Sequence, residues 1–195
     1  MKPDLSPKAA EIAACARGLI AARGYNGFSY ADIAQAVGIS KPSVHHHFPG
    51  KAELVRSVVA AYREEARVGL AALNRKIPDP LERLRAWLGF WHTCLHDRTL
   101  PFCICAMLAI EMPVIPAEIG VEVRGHLDDL CGWLEALLAE GVQTRQFVLR
   151  RPAPQEALSL MAAVHGAMVS SRAYDDPAVF DTIAATVVAG LTRAP

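Results

Sequence analysis

The stretch Phe28–Leu54, FSYADIAQAVGISKPSVHHHFPGKAEL, decides how the chain is read. Ser29-Tyr30-Ala31-Asp32 is a variant capping box with Asp32 in the third position, and it predicts a short helix from Ser29 to about Val37. Gly38 stops that helix, because a residue without a side chain permits the left-handed backbone that a turn often needs. A second short helix is predicted from Ser40 or Lys41 to near Phe48. Pro42 is tolerated in its first turn, where no backbone donor is required. Pro49-Gly50 then breaks the chain. The small Ala34 lets the two helices approach closely. Ile39 and Val44 are expected to fill the space between them, with Ile33 and Val37 facing the preceding helix. Two short helices joined by a tight glycine turn form a helix-turn-helix pattern. The second of them turns Lys41, Ser43, His45 and His46 outward, groups that suit phosphates and base edges. On spacing alone, a plain corner between two helices of a bundle is the competing reading.

Outward from this stretch, period-3.6 patterns dominate and no sustained alternation is present. A helix is expected from Pro7 to Arg23, capped by Ser6, ended by Gly24, and buried through Ile12, Ala16, Leu19 and Ile20. A long fourth helix is expected from Lys51 to about Asn74, with Leu54, Val58, Ala61 and Tyr62 among its apolar positions. Pro78-Asp79-Pro80 is read as the clearest boundary, and the charge balance changes sign around it. Beyond it, Leu81, Leu84, Leu88, Trp91 and Leu95 line a fifth helix. A sixth covers about Phe102–Met112, between Pro101 and Pro113. A seventh runs from Ala117 to Glu140, with Gly141 expected to end it. The eighth spans about Pro154–Ala173, and the ninth starts at Asp176-Pro177 and runs to about Thr192. About nine helices in 195 residues make an all-α protein.

Composition narrows the class. Hydrophobic residues are 52% and charged residues 21%, which excludes a disordered chain. The longest apolar run, Phe102–Ile110, is about half of the roughly twenty residues a membrane span needs. The N-terminus MKPDLSPKAAEIAA carries early acids and no signal-peptide core, so a cytoplasmic protein with no membrane partner is expected. Five cysteines in no paired framework then read as reduced thiols. The net charge of zero hides an asymmetry: residues 1–76 carry a surplus of five positive charges and residues 77–195 the same surplus of negative ones. Only the first part suits an anionic partner.

The segment GISKPSVHHHFPGKAELV resembles the signature of TetR-type (TetR/AcrR) transcriptional regulators. Gly38, Ile39, Ser40, Lys41, Phe48, Lys51 and Leu54 match directly, as do Gly24-Tyr25, Phe28-Ser29, Ile33-Ala34 and Val37-Gly38. The resemblance is specific over about fifty residues, and the nine-helix layout extends it as architecture. It implies a three-helix DNA-binding head over residues 1–50 and a helical effector-binding and dimerisation domain over 51–195. It further implies that Ser29 and Tyr30 touch phosphate and that Lys41, Ser43 and His46 face the major groove. His45 would lie near the DNA backbone, and Lys51 would bind phosphate at the start of the fourth helix. Two departures stand out. Pro42 occupies a position the family often gives to Gly or Ala, so it offers no backbone amide to DNA. His45 and His47 stand where Tyr or Phe is more common, which makes His47 a packing residue and gives a phosphate contact from His45 a pH dependence.

The eighth helix shows two apolar faces, one with Leu158, Met161 and Met168, the other with Leu160, Val164 and Ala167. Ala162, Ala163, Gly166 and Ala167 permit close approach. The ninth adds Phe180, Ile183, Val187 and Leu191. The resemblance implies that these two helices pair with their copies in a homodimer, which matches two-fold operator DNA. Candidate effector-lining residues are Trp87, Trp91, Cys94, Cys103, Met107, Trp133, Met161 and His165, an aromatic and Met-rich set suited to a small apolar ligand. Core packing competes for each of them. His92 and His96 lie one turn apart, but no matching acid or cysteine is evident, so no metal site and no cofactor is expected. His45-His46-His47 cannot converge on one ion, because adjacent helical residues point about 100° apart.

Cys103 and Cys105 open the sixth helix, whose positive end can lower a thiol pKa. They are read as pointing to opposite sides of the helix, with Cys94 or Cys131 as better disulfide partners. The expected function is a DNA-binding regulator, a repressor released from its double-stranded operator by a small-molecule effector. A thiol sensor built on Cys103 and Cys105, or a helical interaction module that no longer reads DNA, are the alternatives. No nucleophile elbow, zincin or P-loop motif is present, so an enzyme is not expected.

Overall fold

The structure is a computed structural model that describes residues 5–98 and 102–192. Among them nine helices form: α1 Pro7–Arg23, α2 Tyr30–Val37, α3 Lys41–His47, α4 Lys51–Lys76, α5 Pro80–His96, α6 Ile104–Ile110, α7 Ala117–Gln143, α8 Ala153–Tyr174 and α9 Ala178–Leu191. The one extended pairing among the described residues is an antiparallel bridge between Phe147 and Thr192. Pro101, expected just before α6, lies outside the described residues. No described helix is long and apolar enough to cross a membrane.

The chain divides into two compact units, one with residues 5–65 and 102–126, the other with 66–98 and 127–192. In the first, Ser6 accepts from the Ala9 amide at 3.3 Å and caps α1. Ile12, Ala16 and Ile20 are fully buried, while Leu19 is only half-buried. The capping box of α2 forms as read: the Ser29 amide donates to Asp32 Oδ2 at 2.7 Å, and the Ser29 hydroxyl oxygen accepts from Ala31. Gly38 ends α2 at φ 69°, in the left-handed region. Val44 and Ile33 are fully buried, whereas Ile39 is half-exposed, so Val44 is the main plug of the helix-turn-helix.

In the second unit Asp79 accepts from the Glu82 amide at 2.9 Å and caps α5. Gln146 donates to Asp79 Oδ2 at 2.6 Å and accepts from the Leu81 amide at 3.1 Å. Pro78-Asp79-Pro80 is therefore a pinned turn inside one unit, not a boundary between two. The buried Arg83 guanidinium ties Asn74 Oδ1, the Pro78 carbonyl and Glu140 together. These bonds offset part of the cost of taking its charge out of water, while its Nε is buried without a hydrogen-bond partner.

Three helices differ from the expectation at their ends. α6 starts at Ile104, because Cys103 has extended backbone (ψ 118°), and it stops at Ile110. α7 runs through Gly141 to Gln143. Gly141 is not a stop signal: a methyl group there would overlap the Phe147 ring, which is 3% exposed and packs against the bare backbone. α9 begins at Ala178, one residue after Pro177, with Asp176 still accepting from the Ala178 amide at 2.9 Å. On α8, Met168 is fully buried with Leu160, Val164 and Ala167, so it belongs to the inner face; Leu158 stays 54% exposed.

Two glycines of α7 should respond in opposite directions. Gly141→Ala is expected to destabilise by about 1–3 kcal/mol through overpacking. Gly132→Ala, exposed and with open space around it, is expected to stabilise by about 0.5–1 kcal/mol. Chemical denaturation of the two variants measures both.

Candidate nucleic-acid interface

The second helix of the helix-turn-helix, α3, has only seven residues. A helix that short is not stable by itself in water, so its position depends on what holds its ends. At the start, Ser40 accepts from the Ser43 amide at 3.2 Å. At the end, Phe48 is 4% exposed and its amide donates to the Val44 carbonyl at 2.9 Å. The Phe48 carbonyl in turn accepts from the Tyr30 hydroxyl at 2.9 Å. Tyr30 is 5% exposed. Burial, reinforced by Glu53 and Tyr25, pushes its phenol up to about 12, so it remains a hydrogen-bond donor at neutral pH.

This corrects one expected role. Tyr30 does not offer its side chain to a phosphate; it holds the end of α3 from below. Lys51 differs in part. Its ammonium donates to the Phe28 carbonyl and sits 4.2 Å from the Phe28 ring centroid and 4.6 Å from that of Tyr25. Burial lowers its pKa against the opposing pull of Glu111 and Asp32. Lys51 thus braces the chain between two aromatic faces, while the N-terminus of α4 remains where it begins.

The other residues read as DNA-facing stand on the solvent side. Lys41, Pro42, His45 and His46 are exposed and Ser43 is half-exposed. His45 Nδ1 lies 3.3 Å from the Pro49 carbonyl oxygen, and its ring meets the Tyr30 ring edge-on at 4.6 Å. His47 is half-buried, with its ring 5.5 Å from that of His46. Ser29 is exposed, and its hydroxyl donates to Asp32 Oδ2 at 2.6 Å. Those bonds hold the Asp32 carboxyl below its ordinary range.

Sequence reasoning missed Glu111, the residue after α6. Its carboxylate accepts from the Tyr25 amide, from the Asn26 amide at 3.2 Å and from Asn26 Nδ2 at 3.3 Å. Gly24 makes this possible: it sits at φ 74°, and a side chain there would collide with the carboxylate. The partners are 85 and more residues apart, so no local pattern announced the pairing. Only Gly24 itself, a residue free of Cβ at a helix end, hinted at a close approach.

The candidate effector residues occur in both units. Cys103 and Met107 belong to the first unit, whereas Trp87, Trp91, Cys94, Trp133, Met161 and His165 belong to the second. Trp87, Trp91, Cys94 and Cys103 are buried, as core residues are. Trp87 and Trp133 pack with centroids 6.0 Å apart, and the Trp133 indole donates to Asn74 Oδ1 at 2.9 Å. Met107, Met161 and His165 are half-buried. A groove of about 440 Å³ in the second unit is lined instead by Arg85 and Leu88 of α5 and by Ala185, Val188 and Ala189 of α9.

The thiols are also placed differently from the expectation. None of the five cysteines is in a disulfide. Cys103 has extended backbone and stands outside the helix to which Cys105 belongs. Burial, with Cys103 close by, pushes the Cys105 thiol well above its ordinary range. Cys103 is 1% exposed, with the Tyr62 hydroxyl 3.5 Å and His126 Nε2 4.0 Å from its sulfur.

Comparison with known proteins bears on the whole arrangement. Residues 12–58 match the N-terminal profile described as "Bacterial regulatory proteins, tetR family", and residues 80–187 match "Tetracyclin repressor-like, C-terminal domain". The chain belongs to the TetR family. Its members are helix-turn-helix transcriptional regulators that bind DNA, not enzymes. A TetR-family regulator from Agrobacterium tumefaciens superposes with a TM-score of 0.93 at 49% identity, covering 95% of this chain and 98% of that one. The HTH-type transcriptional activator FasR of Mycolicibacterium smegmatis is 29% identical over 107 residues, 54% of this chain and 49% of its own length. The HTH-type transcriptional regulator CymR of Pseudomonas putida is 42% identical over 68 residues, 33% of this chain and 34% of its own. The chain thus matches about half of the length of FasR and a third of CymR.

Two substitutions test the bracing of this TetR-type head. Tyr30→Phe removes one buried hydrogen bond and is expected to cost about 1 kcal/mol in a denaturation curve. It should leave the dependence of DNA affinity on salt unchanged, since no phosphate contact is lost. Glu111→Ala removes the acceptor of three donors and is expected to cost about 1–3 kcal/mol in the same measurement.

Proposed function

We propose that this chain is a homodimeric repressor, with residues 1–50 as the reading head and residues 51–195 for effector binding and dimerisation. The observation that carries the reading is the two-sidedness of α3. Val44 is fully buried, while Lys41, His45 and His46 face solvent from a helix pinned at both ends. In the proposed complex, Lys41, Ser43 and His46 meet base edges in the major groove. Ser29, Pro42 and His45 lie along the phosphate backbone, with Lys51 contributing charge near the start of α4. Work in the cytoplasm fits a chain whose cysteines are all thiols.

The proposed dimer contact runs through α8 and α9. Leu158 and Val169 are 54% and 47% exposed on α8, with Ala162 and Gly166 exposed between them. Apolar side chains beside small residues on one helix face suit close packing against a second copy. Repression is relieved when an effector favours a dimer whose two heads no longer match successive major grooves.

Fluorescence anisotropy on the DNA flanking the chain's own gene tests this reading. Wild type is expected to bind as two subunits per site, more tightly than to random DNA. Replacing Lys41 and His46 together by alanine should weaken specific binding at least about tenfold, since each base contact is worth roughly 1–3 kcal/mol. Equal affinity for flanking and random DNA, or no loss in the double variant, would contradict it.

A further inference from the structure

α5 and α9 meet along one seam of the second unit. His92 and His96 stand one turn apart on α5, with ring centroids 4.2 Å from each other. Asp181, in the first turn of α9, faces both. His92 Nδ1 is 2.7 Å from Asp181 Oδ1, and His96 Nε2 is 2.9 Å from Oδ2. The acid that the sequence pattern lacked is thus supplied across 85 residues of chain. One donor atom from each side chain falls in a group whose members all lie within 4.8 Å of one another. The three side chains are 37–51% exposed, so an ion and its water can enter.

We propose that His92, His96 and Asp181 form a site for one divalent transition-metal ion of the zinc and nickel class. Two imidazole nitrogens and one carboxylate oxygen suit such borderline ions, whereas magnesium and calcium prefer oxygen ligands alone. Three protein ligands leave at least one position for water. Ligand atoms around a tetrahedral zinc lie about 3.3 Å apart, as follows from bond lengths near 2.0–2.1 Å. The observed spread closes to that by small rotations of exposed side chains. With both imidazoles neutral the donor set carries one negative charge, which suits a dication. Without the ion, the carboxylate accepts from the ring nitrogens and keeps the three groups together. On binding, each imidazole presents a lone pair to the ion and carries its proton on the other ring nitrogen. The ion then clamps α5 to α9.

The test uses the whole chain, stripped with a chelator and titrated with zinc or nickel alone by calorimetry, without DNA. That choice separates failure of the site from failure of the operator reading. One saturable site per chain is expected, absent with magnesium. His92→Asn, His96→Asn and Asp181→Asn should each weaken it at least about tenfold, the lower end of what even outer-shell changes cost. A variant with His45, His46 and His47 all replaced by alanine should retain it, which distinguishes the site from the histidine run on α3. Copper bound in place of zinc should show hyperfine coupling to two imidazole nitrogens by electron paramagnetic resonance, a readout independent of the substitutions. No saturable binding below about 100 μM, or binding that any one of the three Asn variants leaves within about twofold, overturns the proposal.

Discussion

The helix-turn-helix depends on keeping a seven-residue helix, α3, in place. Such a helix gains too few internal bonds to offset the cost of its nucleation. α3 therefore borrows its order from its surroundings: a serine cap at one end, the Tyr30–Phe48 bond at the other, and Val44 buried beneath. Because the supports all act from the inner side, the outer side is left to Lys41, Ser43, His45 and His46. The same pinning explains why Tyr30 and Lys51 carry so much packing. Each looks like a surface residue by type, and each places its polar end on a backbone carbonyl.

A second constraint reaches the head from far along the chain. Glu111 satisfies backbone and side-chain donors in the turn after α1, and Gly24 makes room for its carboxylate. These contacts join the loop after α6 to the segment that leads into the reading helices, within one compact unit.

The sequence was most legible where the causes are local. Ser6, the Ser29–Asp32 box and Gly38 each mark a helix end through atoms within a few residues, and each does so in the structure. Where a residue's partner is distant, the reading went astray. Gly141 was a plausible stop by type, yet it is a contact point for Phe147. Cys103 and Cys105 were assigned opposite faces of a helix that in fact begins after Cys103.

From the sequence alone, then, came the all-α class, the helix-turn-helix and the outward face of α3, since capping, periodicity and turn chemistry act over fewer than ten or so residues. Tertiary structure alone decided that Tyr30 points inward, that Glu111 meets the turn after α1, and that Asp181 stands against His92 and His96. Each of these depends on which distant element packs where, and a hydrogen bond carries no sequence signal when its donor and acceptor lie on helices far apart in the chain.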